Sequence, residues 1–196
     1  MLENILRKIF SNFFLIIIFL IFSLSSGYAN QKWVIDKNIS TITFEVPVLF
    51  ATNVKGEFKN IDGFVEIDLK NKKNNKALLS VSIDSIENNY QKYNDLLLGP
   101  IFFDSSNFPI GLIDTKKFSY DDENNLNLNI ELTIKGISKI VEAQLNVIKL
   151  TSDIVQIIGT LEFSRNEFNI GTGKWSNTTI LKDNVLINSN IFLIKE

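Results

Sequence analysis

The strongest constraint on the fold of this chain is a period-two alternation of apolar and polar residues from residue 39 onward. In segment 126–134, leucine and isoleucine occupy every second position, and asparagine, glutamate and threonine lie between them. The pattern recurs in segments 41–46, 64–69, 79–83, 141–147, 155–163 and 185–193. Such alternation is typical of antiparallel strands with one dry and one wet face, so it predicts an all-β protein.

Short turn signals separate these predicted strands: Asp62-Gly63, the asparagine-rich segment 71–75, segment 121–125, Lys135-Gly136 and Asp183-Asn184. We interpret segment 71–75 as a solvated hairpin loop. Many hairpin-connected strands that each have one dry face favour a sheet that closes on itself, because closure removes exposed strand edges. The expected architecture is therefore an antiparallel β-barrel.

The alternation stops between residues 86 and 103, where Tyr90, Tyr93, Leu96 and Leu97 recur at helical spacing. Gly99-Pro100 ends this pattern. We predict one short helix inserted at a mouth of the barrel. No linker or repeat divides residues 30–196, which we expect to form one domain.

Residues 1–29 have the three-part layout of a cleavable secretory signal peptide. Arg7 and Lys8 precede an apolar run over residues 13–24, and small residues flank Tyr28 at the end of the segment. The run is shorter than the roughly 20 residues that span a bilayer. We expect cleavage and export, and an uncleaved N-terminal anchor is the alternative.

Composition excludes much of the chemistry that enzymes use, because the chain has no histidine and no cysteine. Catalytic triads built on histidine, disulfides and the commonest zinc ligands are therefore absent. Carboxylate pairs remain, but the acidic residues fall mostly in turns and on wet faces, so we expect neither an enzyme nor a metal site. The net charge of −2, with no basic stripe, argues against a nucleic-acid partner.

A series of short motifs, weak singly but specific in this order, resembles the YceI-like family of bacterial exported proteins. The resemblance covers essentially all of residues 30–196. The motifs are Trp33-Val34-Ile35-Asp36, Ser40, Gly56-Glu57-Phe58, Asp62-Gly63, Asp68, Ile83-Asp84-Ser85-Ile86, Phe102-Phe103-Asp104, Phe108-Pro109, the segment 132–139, Val141, Arg165, Phe168, Ile170-Gly171, Asp183, Val185 and Ile187.

The resemblance implies a lipocalin-like, extended barrel of about eight strands that holds a long-chain isoprenoid lipid in the periplasm. The ligand would be a ubiquinone-like quinone or a polyprenyl phosphate, with no other cofactor and no catalysis. Such a barrel has room for one ligand, and a phenylalanine-rich lining suits a hydrocarbon tail. The residues expected to line the apolar cavity are Phe44, Phe58, Leu97, Phe102, Phe103, Phe108 and Phe163.

Arg165, Tyr93 and Asn94 are the candidates for contact with the ligand head. Two simpler interpretations stay open: the phenylalanines plug a filled core, or Arg165 forms an ion pair with Glu167 or Asp183. The chain also departs from the family pattern. Family members usually carry a histidine where Ile39 stands here, and an Arg-Asp pair followed by His-Leu in the helical segment. The loss of these polar groups favours a neutral quinone or a bare hydrocarbon tail over a phosphate.

The expected partner is a hydrophobic lipid, with transient contact with the inner membrane or with membrane proteins, and the expected state is a monomer or homodimer. The alternative function is that of a filled barrel acting through its surface as an envelope stress or interaction protein. A large apolar cavity would favour the carrier, and an exposed apolar patch without a cavity would favour the alternative.

Overall fold

The computed structural model describes residues 30–90, 93–121 and 123–196. The predicted signal peptide lies outside the described residues, so its cleavage stays a prediction. The described chain forms one short α-helix and eleven strands: β1 (Gln31–Ile35), β2 (Thr41–Val46), β3 (Val54–Phe58), β4 (Ile61–Ile67), β5 (Lys76–Ser82), β6 (Ile86–Asn88), α1 (Asn94–Leu98), β7 (Ile110–Asp114), β8 (Asn125–Ile134), β9 (Ile137–Lys149), β10 (Ile154–Ser164) and β11 (Asn184–Lys195).

Eight of the strands form a closed ring in the order β1-β4-β5-β7-β8-β9-β10-β11. The ring closes because Trp33 to Ile35 of β1 pair antiparallel with the last residues of β11. Neighbouring strands are antiparallel throughout. The prediction of an all-β, lipocalin-like antiparallel barrel with about eight strands and one short helix is confirmed.

The remaining three strands lengthen the barrel wall at one end. The first half of β11 pairs with β2, and the sheet continues from β2 to β3 and β6. Helix α1 follows β6 at this same end, which we call the helix end. At the opposite end, which we call the far end, hairpins connect β4 to β5 and β9 to β10.

The alternation in sequence places apolar side chains inside the barrel. In β2, Ile42, Phe44 and Val46 are buried, whereas the residues between them are partly exposed. Leu161 of β10 pairs with Ile187 of β11, and both side chains point inward. Within the described ranges, no helix is long and apolar enough to cross a membrane.

Candidate functional site

The interior of the barrel contains two cavities. The helix-end cavity has a volume of about 430 Å³, and the far-end cavity has a volume of about 490 Å³. Each falls within the roughly 300–1,000 Å³ that is typical of sites for one small ligand. Five aliphatic side chains line both cavities, so the two cavities adjoin at this level of the barrel: Ile42, Leu79, Ile113, Leu161 and Ile187.

The helix-end cavity is lined mainly by aromatic and aliphatic side chains from β2, β3, β5, β10 and β11, together with α1. The ring of Phe58 packs against two other aromatic rings of the cavity lining. The ring of Phe58 lies 5.8 Å from that of Phe44 and 6.4 Å, edge-on, from that of Phe103. Such an aromatic lining offers a ligand a large apolar contact surface.

Six of the seven side chains predicted to line the apolar cavity do line the helix-end cavity: Phe44, Phe58, Leu97, Phe102, Phe103 and Phe163. Phe108 is placed elsewhere. Its ring lies beside the β8–β9 turn, where a Cβ added to Gly136 would be 2.9 Å from Phe108 Cε1. The reason is local: Phe108 lies two residues before the start of β7, so it covers a turn rather than continuing an inward-facing strand.

Arg165 lines the helix-end cavity, but its guanidinium is committed to the protein. The residue is 1% exposed. Its nitrogens donate to Asn166 Oδ1 and to the carbonyl oxygens of Lys182, Leu181, Ile170, Gly171 and Asn177 at 2.8–3.4 Å. Burial lowers the pKa of the Arg165 guanidinium, and the nearby Asp183 carboxylate opposes this shift.

These carbonyl groups belong to a segment that covers the helix-end cavity, which we call the roof loop (residues 165–182). Trp175 of the roof loop lines the cavity and packs edge-on against Phe102, with ring centroids 5.6 Å apart. Lys135 Nζ donates to the carbonyl oxygens of Pro100 and Asn169 at 3.0 Å each, which ties the loop to the β8–β9 turn. Arg165 therefore positions the roof of the cavity.

Polar groups gather at one side of the helix-end cavity. Asn88, Tyr90 and Tyr93 all line it, and the two tyrosine rings lie 6.1 Å apart. Asn94 is set back from the lining and accepts a hydrogen bond from Asn88 Nδ2. Sequence reasoning missed Asn88, because the short strand β6 lies inside the interruption of the alternation.

The far-end cavity was not anticipated from the sequence as a separate feature. Its walls are apolar, but its rim carries Gln31, Lys149 and Lys195 at the ends of β1, β9 and β11. The available signal in the sequence was a lysine at the last inward position of β9 and of β11. The inward positions before it that line this cavity are apolar in β9 and, apart from Ser189, in β11. Among the residues that the structure describes, no cluster of acidic side chains is arranged to hold a metal ion.

A closed antiparallel barrel around an apolar cavity, with a loop and a short helix over one mouth, defines the class of lipocalin-like barrels. The chain belongs to the YceI-like family, because the YceI-like domain model matches residues 33–193. This confirms the resemblance seen in the motifs. A comparison with curated proteins finds no match.

Solved structures share this architecture. Burkholderia cenocepacia BcnA is similar with a TM-score of 0.73 and 25% identity, over 81% of this chain and 98% of that chain. A polyisoprenoid-binding domain from Saccharophagus degradans has a TM-score of 0.69 and 12% identity, over 84% and 98% of the two chains. The Campylobacter jejuni YCEI protein has a TM-score of 0.60 and 24% identity, over 76% and 89%. At these identities the second and third structures show the shared fold alone.

Proposed function

We propose that this chain is a periplasmic carrier that sequesters a long-chain isoprenoid lipid in the helix-end cavity without transforming it. The observation that carries the proposal is the apolar cavity of about 430 Å³ lined by Phe44, Phe58, Phe102, Phe103 and Phe163. Membership of the YceI-like family and the shared fold of a polyisoprenoid-binding domain support it. The signal-peptide layout of residues 1–29 supports export.

Burial of the tail supplies the binding energy. Covering a few hundred Å² of hydrocarbon at about 25 cal/mol per Å² yields several kcal/mol. That gain is largely retained when the cavity exists before the ligand arrives, because little side-chain ordering accompanies binding. The two cavities also argue against the alternative of a filled barrel that acts only through its surface, since a filled core leaves no such volume.

The groups around the helix-end cavity favour a neutral head over a phosphate. Among the residues that the structure describes, Arg165 is the cationic side chain of this lining, and the protein's own carbonyl groups occupy its donors. The amide of Asn88 and the hydroxyls of Tyr90 and Tyr93 are uncharged and suit the carbonyl oxygens of a quinone. A quinone with an isoprenoid tail is therefore our preferred ligand.

The two tryptophans of the chain provide a direct test, because Trp175 lines the helix-end cavity and Trp33 lines the far-end cavity. In a Trp33→Phe variant, an isoprenoid quinone should quench the remaining Trp175 fluorescence saturably. A short quinone without the tail should not quench it at the same concentration. Equal quenching by both quinones would show that the tail is not recognised and would contradict the proposal.

Exposed apolar side chains surround the mouth of this cavity. Phe50 is 97% exposed, and its chain neighbours Ala51 and Thr52 line the cavity. The amide of Leu49 donates to the carbonyl oxygen of Ile180 at 2.9 Å, and Ile180 is itself 64% exposed. An apolar rim continuous with a lipid-sized cavity suits transient contact with a membrane, and we propose that a monomer loads its lipid there.

We expect Phe50→Ser to slow uptake of an isoprenoid quinone from phospholipid vesicles several-fold. The equilibrium affinity should stay unchanged, because Phe50 lies outside the cavity lining. Stopped-flow quenching of Trp175 measures the rate. Leu150→Ser, an exposed apolar residue in the β9–β10 turn at the far end, is the matched control. Equal slowing by both variants would remove the rim from the transfer step.

A further inference from the structure

We propose that residues 173–179 of the roof loop, which we call the flap, are a lid that opens to admit a lipid to the helix-end cavity and then closes over it. The rest of the roof loop stays in place and frames the flap. This inference rests on the proposed function, because it names the moving part of the same site. It adds one step, the opening of the flap, between contact with a membrane and burial of the lipid.

The chain enters the flap from a fixed point. The amides of Gly171 and Thr172 both donate to the carbonyl oxygen of Ile101, at 2.9 and 3.1 Å. Arg165 donates to the carbonyl oxygens of Ile170 and Gly171 at 3.0 and 3.4 Å. The segment just before the flap is therefore tied both to the chain after α1 and to a buried side chain.

The chain leaves the flap at a second fixed point. Leu181 forms an isolated β-bridge with Val48, and the amide of Lys182 donates to the carbonyl oxygen of Pro47 at 3.0 Å. Arg165 donates to the carbonyl oxygens of Leu181 and Lys182 at 2.9 and 2.8 Å. Fixed chain on both sides of a short loop is the arrangement that confines a movement to hinge residues.

The flap itself is held less firmly than its two ends. Apart from Trp175, its residues are exposed. The hydrogen bonds that join it to the rest of the roof loop are 3.1–3.4 Å long and run from Asn166 Nδ2 to the Ser176 carbonyl, from Arg165 to the Asn177 carbonyl, from Lys182 Nζ to the Thr179 carbonyl and from the Trp175 amide to the Thr172 carbonyl. Segments with solvent-exposed hydrogen bonds and little buried apolar contact open at low free energy.

Trp175 holds the flap closed. Its half-buried side chain lines the cavity and packs edge-on against Phe102, which is 5% exposed. The flap thus reaches past the roof loop and covers the cavity through one aromatic side chain. An edge-on ring pair is a modest interaction, so Trp175 can leave Phe102 and return to it.

Gly173, the first residue of the flap, is the hinge. Its φ of +64° lies in the left-handed region, which glycine adopts without strain. No atom of the described residues lies within 4 Å of a Cβ built on Gly173. The closed flap therefore needs glycine here for its backbone conformation and not for space.

The flap ends at the apolar rim of the cavity mouth. Ile180 follows its last residue, lines the cavity and is 64% exposed. When the flap opens, the cavity is uncovered beside the rim that we propose contacts the membrane. A lipid that leaves the membrane at Phe50 and Ile180 then meets the open side of the roof.

Exchange of an isoprenoid quinone between the purified protein and phospholipid vesicles tests the flap. The vesicles carry a pyrene-labelled phospholipid that the quinone quenches, so stopped flow follows uptake and release without using a tryptophan. In Gly173→Ala, both rates should rise about 5-fold or more, because a left-handed backbone disfavours alanine and so disfavours the closed flap. The equilibrium affinity should stay unchanged, because the flap is closed in both the free and the loaded protein.

Two controls separate a lid from an ordinary wall. Thr178→Ala, at an exposed residue of the flap, should leave both rates unchanged. Phe44→Leu, in the cavity wall on β2, should raise the release rate alone, since most changes in affinity appear in dissociation. A folded Gly173→Ala variant with the exchange rates of the parent protein would overturn the flap.

Trp175→Ala provides an independent variant. It removes the contact with Phe102, so uptake should accelerate about three- to 10-fold, the factor expected for the loss of one edge-on ring pair. The release rate should rise further, because Trp175 also lines the cavity. An uptake rate no higher than that of the parent protein would make Trp175 a wall residue and overturn its role in closing the flap.

Hydrogen exchange of the lipid-free protein, followed by mass spectrometry, separates the flap from the carrier function. Amides of residues 173–179 should exchange about 5-fold faster in Gly173→Ala than in the parent protein. The Lys182 amide, which donates to Pro47, should exchange at an unchanged rate. Faster flap exchange in a protein that takes up no quinone would support the flap and contradict the carrier function. Quinone uptake with unchanged flap exchange in Gly173→Ala would overturn the flap and leave the carrier function standing.

Discussion

Replacing Arg165 with methionine is expected to lower the free energy of unfolding by about 3 kcal/mol or more, because it strips charged donors from several buried carbonyl groups. A hydrogen bond to a charged group contributes about 1.5–3 kcal/mol, and a buried acceptor left without a donor adds a desolvation penalty. Arg165 donates to five carbonyl oxygens across the roof loop. A loss of this size is a large part of the roughly 5–15 kcal/mol that stabilises a typical domain.

Urea unfolding followed by circular dichroism measures this effect. Arg165→Lys is the informative companion, because it keeps the charge but not the planar fork of donors, so we expect it to recover a minor part of the loss. Lys174→Met, a substitution of an exposed cation in the same loop, should change stability by less than about 0.5 kcal/mol. If Arg165→Met costs no more than Lys174→Met, Arg165 does not hold the roof loop.

Phe103→Asp is expected to weaken isoprenoid quinone binding at least about 100-fold, because it places a carboxylate in an apolar cavity. The Phe103 ring lines the helix-end cavity and packs edge-on against Phe58 at 6.4 Å. Desolvating the new carboxylate, or keeping water around it, removes several kcal/mol from binding, and each 1.4 kcal/mol is a factor of ten. Leu97→Asp on α1 should act in the same way, since Leu97 lines the same cavity.

The readout for Phe103→Asp is quinone quenching of Trp175. Ile140→Asp introduces the same charge at an exposed position and should leave the affinity unchanged. Phe103→Asn separates lost volume from added charge and should weaken binding less than the aspartate does. A folded Phe103→Asp variant that binds the quinone as tightly as the parent protein would remove Phe103 from the site.

The barrel was predictable because alternation is a local signal that survives in each strand. β8 shows it best: its apolar positions in sequence are the inward positions in the structure, and the register with β9 follows from the tight turn at Lys135-Gly136. The extension of the sheet through β2, β3 and β6 was not predictable in this detail. It depends on β11 being long enough to pair with β1 and β2 one after the other.

The site was predictable where a side chain belongs to a strand or to the helix, as with Phe44 and Leu97, and less so elsewhere. Arg165 was expected to meet a ligand head or a carboxylate. Its carbonyl partners come together only when the roof loop folds, and no local pattern encodes that. Asn75 is a second example. It lies in the segment interpreted as a solvated loop, yet it is fully buried. Its side chain accepts a hydrogen bond from the Asp68 amide and donates one to the Lys72 carbonyl oxygen.

The most direct measurement is native mass spectrometry of the full chain, expressed with export intact and purified without detergent, followed by organic extraction of the bound lipid. We predict a protein peak with one added lipid, and extracted masses that fall in an isoprenoid series. A clean apo mass, with no lipid taken up from added isoprenoid quinone or polyprenyl phosphate, would contradict the carrier function.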